Sequence, residues 1–363
     1  MEKLKVGIIG CGNIANGKHM PSIAEIEELE MVAFCDIIPE RAEAAAKKYG
    51  TPDAKVYTDY RELLKDESIN NVRVLTHNKL HAEISIAAME AGKHVLCEKP
   101  MAANYADALA MYKTQKKTGM ILTIGYQHKF DPDVLYAKAE AAKDVFGEMY
   151  YAHANVIRRR GVPLQGVFLR MDGQGGGALI DIGTHAVDTA LYIMDNYKPK
   201  MVLGKTFHKL KDQKETGNPF GDWDPEIYEV EEFASAFLEM ENGATLIIEA
   251  SWALNTTENT GVRYRICGTK AGMDNYDGKF RINGICNNKQ YIHEPNFDPA
   301  GVAYTAANTG ELPRIKEQRV FTDAILGKGD LITTPETALV VSHILEGIYE
   351  SAKTGKPYYF NEN

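Results

Sequence analysis

The strongest constraint on the fold lies in the first fifteen residues. Leu4 to Ile9 is a short apolar run, and Gly10-Cys11-Gly12-Asn13-Ile14-Ala15 follows it at once as G-x-G-x-x-A. A turn of this kind between a strand and a helix has a physical purpose at each position. Gly10 permits the tight turn, Gly12 lets the main chain approach a pyrophosphate, and Ala15 keeps the helix close to the sheet. The free N–H groups of the helix start then face the phosphates, so Asn13 and Ile14 join the glycines as candidate cofactor contacts. A second apolar run, Met31 to Cys35, ends in Asp36, 21 residues beyond Ala15. That is close to the spacing of a carboxylate that accepts both ribose hydroxyls. Asp36 would repel a 2′-phosphate, and Ile37 and Ile38 bring no cation. NAD is therefore favoured over NADP, with Arg41 the nearby cation able to reach back toward the adenine or a phosphate.

The alternation continues. Arg41 to Tyr49 and Tyr60 to Lys65 read as helices, and Asn71 to Leu75 as a strand ending in Thr76-His77-Asn78. His81 to Ala91 reads as a helix closed by Gly92, and Val95 to Cys97 as a strand ending in Glu98-Lys99-Pro100. Ala102 to Thr118 is a helix and Met120 to Ile124 a strand. This order predicts an α/β Rossmann domain, a doubly wound parallel sheet, over residues 1–124. Ligands in such sheets sit beyond the carboxyl ends of the strands. Thr76, Asn78, His81, Glu98 and Lys99 lie at or just past those ends, which makes them candidate cofactor contacts.

Residues 125–363 follow a different pattern. Gly147 to Ile157, Val230 to Leu238, Thr245 to Leu254 and Val262 to Cys267 read as strands, with a hairpin signal at Asn242-Gly243. Together with a helix over Thr334 to Thr354, they predict an α+β C-terminal domain with a large, mostly antiparallel open sheet. Lys205 to Asp224 reads as a loop, and Tyr291 to Pro313 as a weakly patterned stretch and candidate lid. In Gly175-Gly176-Gly177-Ala178-Leu179-Ile180-Asp181-Ile182-Gly183-Thr184-His185, the glycines permit either close main-chain approach or a mobile loop. Asp181 and His185 are four apart and share a helical face, where a carboxylate and an imidazole can orient a hydroxyl and take its proton.

Composition excludes several function classes. The formal net charge is −9 and the pI near 5.7, which argues against nucleic acid or anionic membrane as partner. The exception is the run Arg158-Arg159-Arg160. It reads either as a solvated charge run or as a segment with one arginine reaching hydroxyls or a carboxylate. No apolar stretch is long enough to span a bilayer, and the N-terminus reads as a strand rather than a signal peptide. Cys11, Cys35, Cys97, Cys267 and Cys286 read as small buried hydrophobes in a reducing compartment, so a cytoplasmic location is expected. No metal site is expected, because no Cys/His spacing fits one.

With VGIIGCGNIA, HAEISIAAMEAGKHVLCEKP and GGGALIDIGTHAVD assembled, nearly the whole chain resembles the glucose–fructose oxidoreductase / inositol dehydrogenase / MocA family. The resemblance implies NAD(P)-linked oxidation of a secondary alcohol on a sugar, glycoside or cyclitol. It also implies a homodimer or homotetramer assembled through the open sheet. Position by position, it makes Lys99 a contact to the substrate hydroxyl and the nicotinamide ribose, Asp181 the substrate-orienting carboxylate and His185 the catalytic base. Gln127, His128 and Arg158 fall where relatives place substrate contacts. Two departures stand out: Thr76-His77-Asn78 replaces Thr-Pro-Asn, and His128-Lys129-Phe130 replaces two arginines before an aromatic.

These residues lead to the expectation of an NAD-dependent dehydrogenase. Three alternatives keep the same fold, one of them a 3-dehydrogenase that supplies oxidised glycosides to a separate eliminating enzyme. Another is a glycosidase that oxidises C3 transiently, eliminates and then restores NAD. The third is a regulatory protein that binds NAD and catalyses nothing, which would have no need of Lys99, Asp181 and His185 together.

Overall fold

The computed structural model describes residues 3–297 and 311–360. The chain divides into two compact units, Met1–Phe130 with Glu311–Leu339, and Asp131–Gly310 with Val340–Asn363.

The first unit is built on a six-stranded parallel sheet. Its strands are β1 (Leu4–Ile9), β2 (Leu29–Cys35), β3 (Lys55–Tyr57), β4 (Asn71–Val74), β5 (His94–Cys97) and β6 (Leu122–Ile124), in the order β3-β2-β1-β4-β5-β6. The order reverses between β1 and β4, the place where doubly wound sheets bind ligands. Val6, Ile8, Phe34, Val72, Val74, Val95 and Leu96 are buried. Near-continuous apolar strands are what a parallel sheet covered on both faces requires.

The connecting helices are α1 (Met20–Ala24), α2 (Pro39–Tyr49), α3 (Tyr60–Leu64), α4 (Asn78–Glu90) and α5 (Tyr105–Thr118). A wide i→i+5 turn over Ala15–His19 leads into α1. The expected helix from Ala102 begins instead at Tyr105, because the Asn104 side chain accepts the Asp107 N–H at 2.9 Å and caps it. Gly119, in the left-handed region at φ 69°, ends it as expected. Asn78, read as part of a turn, is the first residue of α4. The unit also runs past the expected boundary at 124. It takes the short helical turn Gln127–Phe130 and a later helix, Pro313–Ile325, where a loop was expected to end.

The second unit holds a nine-stranded sheet. Its strands are β7 (Met149–Ile157), β8 (Pro199–Phe207), β9 (Phe233–Met240), β10 (Thr245–Ser251), β11 (Val262–Gly268), β12 (Ala271–Asp274), β13 (Arg281–Cys286), β14 (Lys289–His293) and β15 (Tyr358–Tyr359). The order is β14-β13-β12-β11-β7-β10-β9-β8-β15. Among the described residues of this sheet only the β7–β10 pair is parallel, and the hairpin read at Asn242-Gly243 joins β9 to β10. One face carries α8 (Thr184–Met194), introduced after α6 (Pro132–Ala142) and α7 (Met171–Gln174).

Three expectations are corrected here. The loop read over Lys205 to Asp224 loses Lys205–Phe207 to β8, which pairs with β9 through Phe207. The stretch Tyr291 to Pro313 contains the end of β14 and the start of the Pro313–Ile325 helix, while residues 298–310 lie outside the described residues. Cys286 is exposed at the end of β13 and Cys267 half-buried, whereas Cys11, Cys35 and Cys97 are buried and free. Among the described residues, no helix is long and apolar enough to cross a membrane, and no cluster of His, Cys, Asp or Glu could hold a metal ion.

Candidate active site

The two glycines of the first turn serve different needs. Gly10 has φ 94°, and a Cβ there would lie 2.6 Å from the Leu75 carbonyl oxygen. The fold itself demands that glycine. A Cβ at Gly12 would meet nothing within 4 Å. Its lack of a side chain serves no neighbour in the protein, which is the signature expected if a phosphate is to approach the main chain. Asn13 and Ile14 beside it are exposed. Asp36 turns back to this loop: one carboxylate oxygen accepts the Cys11 N–H at 2.8 Å and the other the Ile38 N–H at 2.9 Å. Each oxygen keeps a lone pair for a ribose hydroxyl. Ile37, at 86% exposure, and the half-open Ile38 bring no charge. Arg41 is exposed on α2. These residues fit the adenosine half of NAD, which when bound supplies the hydride acceptor.

The strand ends β4 and β5 are tied together. His81 is buried, with Nδ1 2.8 Å from the Pro100 carbonyl oxygen and Nε2 3.1 Å from that of Thr76. Its ring lies between two turns, and in the neutral form its single N–H donates to one of the two carbonyls. Burial depresses its pKa, against the two carbonyls. Asn78 is buried and Lys99 half-buried. Glu98 is buried; one oxygen accepts from Lys18 Nζ at 3.0 Å and His19 Nε2 at 2.7 Å, the other from the Lys99 N–H at 3.0 Å. Burial alone would raise the Glu98 pKa, but Lys18, His19 and Lys99 outweigh it and hold the carboxyl well below the usual range. Gly125 packs on this carboxylate, with room for a Cβ only 3.3 Å from it, and Gln127 and His128 follow in the next turn.

In the second unit, Gly175 takes a left-handed φ of 82°, and the other two glycines are packed. A Cβ on Gly176 would lie 2.1 Å from the Tyr349 hydroxyl and one on Gly177 2.0 Å from the Glu231 carbonyl oxygen. Close approach explains Gly176 and Gly177, and a left-handed main chain explains Gly175. The buried Glu231 side chain accepts from Gly177 N at 2.8 Å, Leu179 N at 2.9 Å and Tyr349 Oη at 2.9 Å. Burial pushes this carboxyl up to about 7, against those donors. Asp181 lies in a second wide turn, Leu179–Gly183, and His185 in the first turn of α8. The shared helical face expected from their spacing is thus modified: an i→i+5 turn has more residues per revolution than an α-helix. Such bulges occur often at functional sites. Asp181 is buried and accepts from Trp252 Nε1 at 2.9 Å, which fixes its direction. Gly183 lets this turn sit on the sheet, since its Cβ would be 2.7 Å from that of Ala250.

Arg158 continues β7 where Trp252 continues β10, and its N–H donates to the Ser251 carbonyl at 2.9 Å. Its side chain turns back on its own loop, Nη1 donating to the Gly161 carbonyl at 3.3 Å. The arginine run is not merely solvated. Arg160 donates to the carbonyls of Thr216 (2.9 Å), Arg159 (2.7 Å) and Leu254 (3.2 Å) and to Asn255 Oδ1 (2.7 Å). It clamps two loops, leaving Arg159 exposed.

Each unit thus holds a built arrangement, Lys99 beside the clamped Glu98 in one, and in the other Asp181, directed by Trp252, in the turn that leads into the helix bearing His185. Residues 4–126 match the oxidoreductase family with an NAD-binding Rossmann fold, and residues 134–274 match the GFO/IDH/MocA C-terminal domain. The chain belongs to the GFO/IDH/MocA family. It is an NAD-binding oxidoreductase. It is similar to D-glucoside 3-dehydrogenase of Escherichia coli K12, at 33% identity over 97% of this chain and 96% of that one. Levoglucosan dehydrogenase of Pseudarthrobacter phenanthrenivorans is 31% identical over 54% of this chain and 53% of its own. Among solved structures, an oxidoreductase domain protein from Kribbella flavida superposes with TM-score 0.85 at 25% identity, covering 99% of both chains. Levoglucosan dehydrogenase in complex with NADH does so with TM-score 0.83 at 22% identity over 99% of both, a likeness of fold.

Sequence reasoning missed Lys18, His19, Glu231, Trp252, Glu317 and Gln318. Their partners are distant: His19 meets Gln318 across 299 positions. The available signal was charge inside apolar runs, as in Val230-Glu231-Glu232-Phe233.

Proposed function

We propose that this protein oxidises a secondary hydroxyl of a sugar or glycoside, with NAD as the acceptor of the hydride. The observation that carries this reading is full-length similarity to a D-glucoside 3-dehydrogenase, with Lys99, Asp181 and His185 all present. His185 takes the hydroxyl proton, a role for which imidazole is suited near neutral pH. The Lys99 ammonium stabilises the alkoxide that develops as the proton leaves. Asp181, directed by Trp252, accepts a hydrogen bond from a substrate hydroxyl and fixes the ring, and Arg158 contacts a further oxygen. Gly12 and Asp36 hold the cofactor and set the preference for NAD. The working form is a homo-oligomer joined through the open face of the nine-stranded sheet, in the cytoplasm.

The test is a panel of methyl glucosides, disaccharides, inositols and free sugars incubated with NAD, followed by NADH absorbance and by mass spectrometry of a keto-sugar product. Stoichiometric NADH and keto-glycoside support the reading. Free glucose released without net NADH would instead identify the redox-neutral glycosidase. No turnover of any member, with NAD bound, would identify a non-catalytic binder.

A further inference from the structure

The mechanism leaves unused a group of buried charged and polar side chains in the first unit. Lys18, His19, Arg73, Glu98, Glu317 and Gln318 are all almost wholly buried. Burying ions costs several kcal/mol each, and apolar side chains of the same volume would serve stability as well or better. Such a cluster calls for another reason. The charges balance, two cations (Lys18, Arg73) against two anions (Glu98, Glu317), and the geometry is directional.

The directions can be read off the donors. Arg73 Nε–H donates to Gln318 Oε1 at 2.6 Å, since a guanidinium has no acceptor. The Gln318 amide nitrogen must then be the atom facing His19, and it donates to Nδ1 at 3.0 Å. Nδ1 therefore carries no proton, and Nε2–H donates to Glu98 Oε1 at 2.7 Å. Glu98 Oε2 accepts the Lys99 main-chain N–H at 3.0 Å. One arrangement of protons satisfies every link, with His19 neutral and Glu98 ionised. Burial and the neighbouring Lys18 depress the His19 pKa, in agreement. A second arm closes the cluster, Lys18 Nζ lying 3.0 Å from both Glu98 Oε1 and Glu317 Oε2.

We propose that this relay positions Lys99: Glu98 is the clamp on the Lys99 main chain, and His19, Lys18, Gln318 and Glu317 are positioning residues that fix the clamp from the wide turn Ala15–His19 and from helix Pro313–Ile325. The relay thus assigns Glu98 a role away from the cofactor. It gives the returning helix, which lies more than two hundred residues from Lys99 along the chain, a part in setting the ammonium's direction. The inference rests on the reading of Lys99 as the group that stabilises the alkoxide.

The test uses the full-length protein with His19→Leu, His19→Gln and Gln318→Met. Gln at position 19 keeps an amide donor for Glu98, and Met at 318 breaks the relay from its far end should His19→Leu fail to fold. A displaced catalytic group lowers kcat by about ten- to a hundredfold, while KM for NAD stays within about twofold. His19→Gln recovers part of the loss. Independently of turnover, exchange of the Lys99 amide, followed by mass spectrometry with single-residue fragmentation, speeds up by about tenfold in His19→Leu and Gln318→Met. A lower Tm with kcat and Lys99 exchange both unchanged overturns the proposal. Absence of turnover in the unmodified protein would sink the dehydrogenase reading alone, since the exchange measurement still decides whether the relay holds Lys99.

Discussion

Lys99 and Asp36 each support a direct test. Lys99→Met removes the cation while keeping most of the stem, and is expected to cut kcat by about a hundredfold or more. Its affinity for NADH, measured by fluorescence titration, should stay near that of the unmodified protein. Undiminished turnover would remove Lys99 from the chemistry. Asp36→Asn keeps an acceptor for one of the two main-chain N–H groups that Asp36 binds now, but loses the charge. The ratio of kcat/KM for NAD over NADP should fall about tenfold or more, the worth of one charge-assisted hydrogen bond. A ratio that does not move would show that another group reads the ribose. The placement of both residues just past the strands β2 and β5 was legible in the sequence, because each follows an apolar run at a spacing that a βα turn explains. Trp252 was not: nothing local marks a tryptophan whose N–H directs a carboxylate 71 positions away.

The element that organises the second cluster is the glycine-led turn, and Glu231 is its anchor. The carboxyl is raised to about 7 in the fold and is near its ordinary value in the unfolded chain. The folded state therefore binds the proton more tightly. The stabilisation from protonated Glu231 is complete below about pH 4.5 and is lost as pH rises toward about 7. Urea denaturation at pH 5 and pH 8 should show a loss of up to about 3 kcal/mol across that window, diminished in Glu231→Gln. An equal loss in both proteins would show that other groups carry the dependence. Gly177→Ala places a methyl 2.0 Å from the Glu231 carbonyl oxygen, and is expected to destabilise by about 3 kcal/mol or more, by overpacking against main chain. The motif itself was readable, yet its two possible meanings were not separable by pattern. Close approach and mobility both call for glycine, and only the neighbours at Tyr349 and Glu231 decide between them. The wide turns before α1 and α8 were equally hidden, because an i→i+5 insertion leaves the residue types of a helix in place.

In the whole molecule, alternation of β and α segments made the parallel sheet legible, and long strands joined by turns made the second sheet so. What escaped were short or exposed strands such as β14, and the return of helix Pro313–Ile325 to the first unit, which depends on partners no window of sequence contains. The open face of the nine-stranded sheet supports a further prediction. Leu203 of β8, Phe237 of β9 and Ile247 of β10 lie in register across it. Leu203 and Phe237 are 46% and 37% exposed, and Tyr359 of β15, paired with Met201 beside them, is 43% exposed. An apolar row flanked by the His153–Glu249 hydrogen bond at 2.8 Å has the composition of a core with a polar rim. A second copy of the same face, related by a two-fold axis, covers it, because an apolar row is complementary to itself in such an interface. Light scattering should therefore report a dimer or tetramer. Replacing Phe237 by Lys buries an unpaired ammonium twice in a symmetric interface and should shift the mass toward the monomer. A monomer in the unmodified protein, or an assembly unmoved by Phe237→Lys, would place the interface elsewhere.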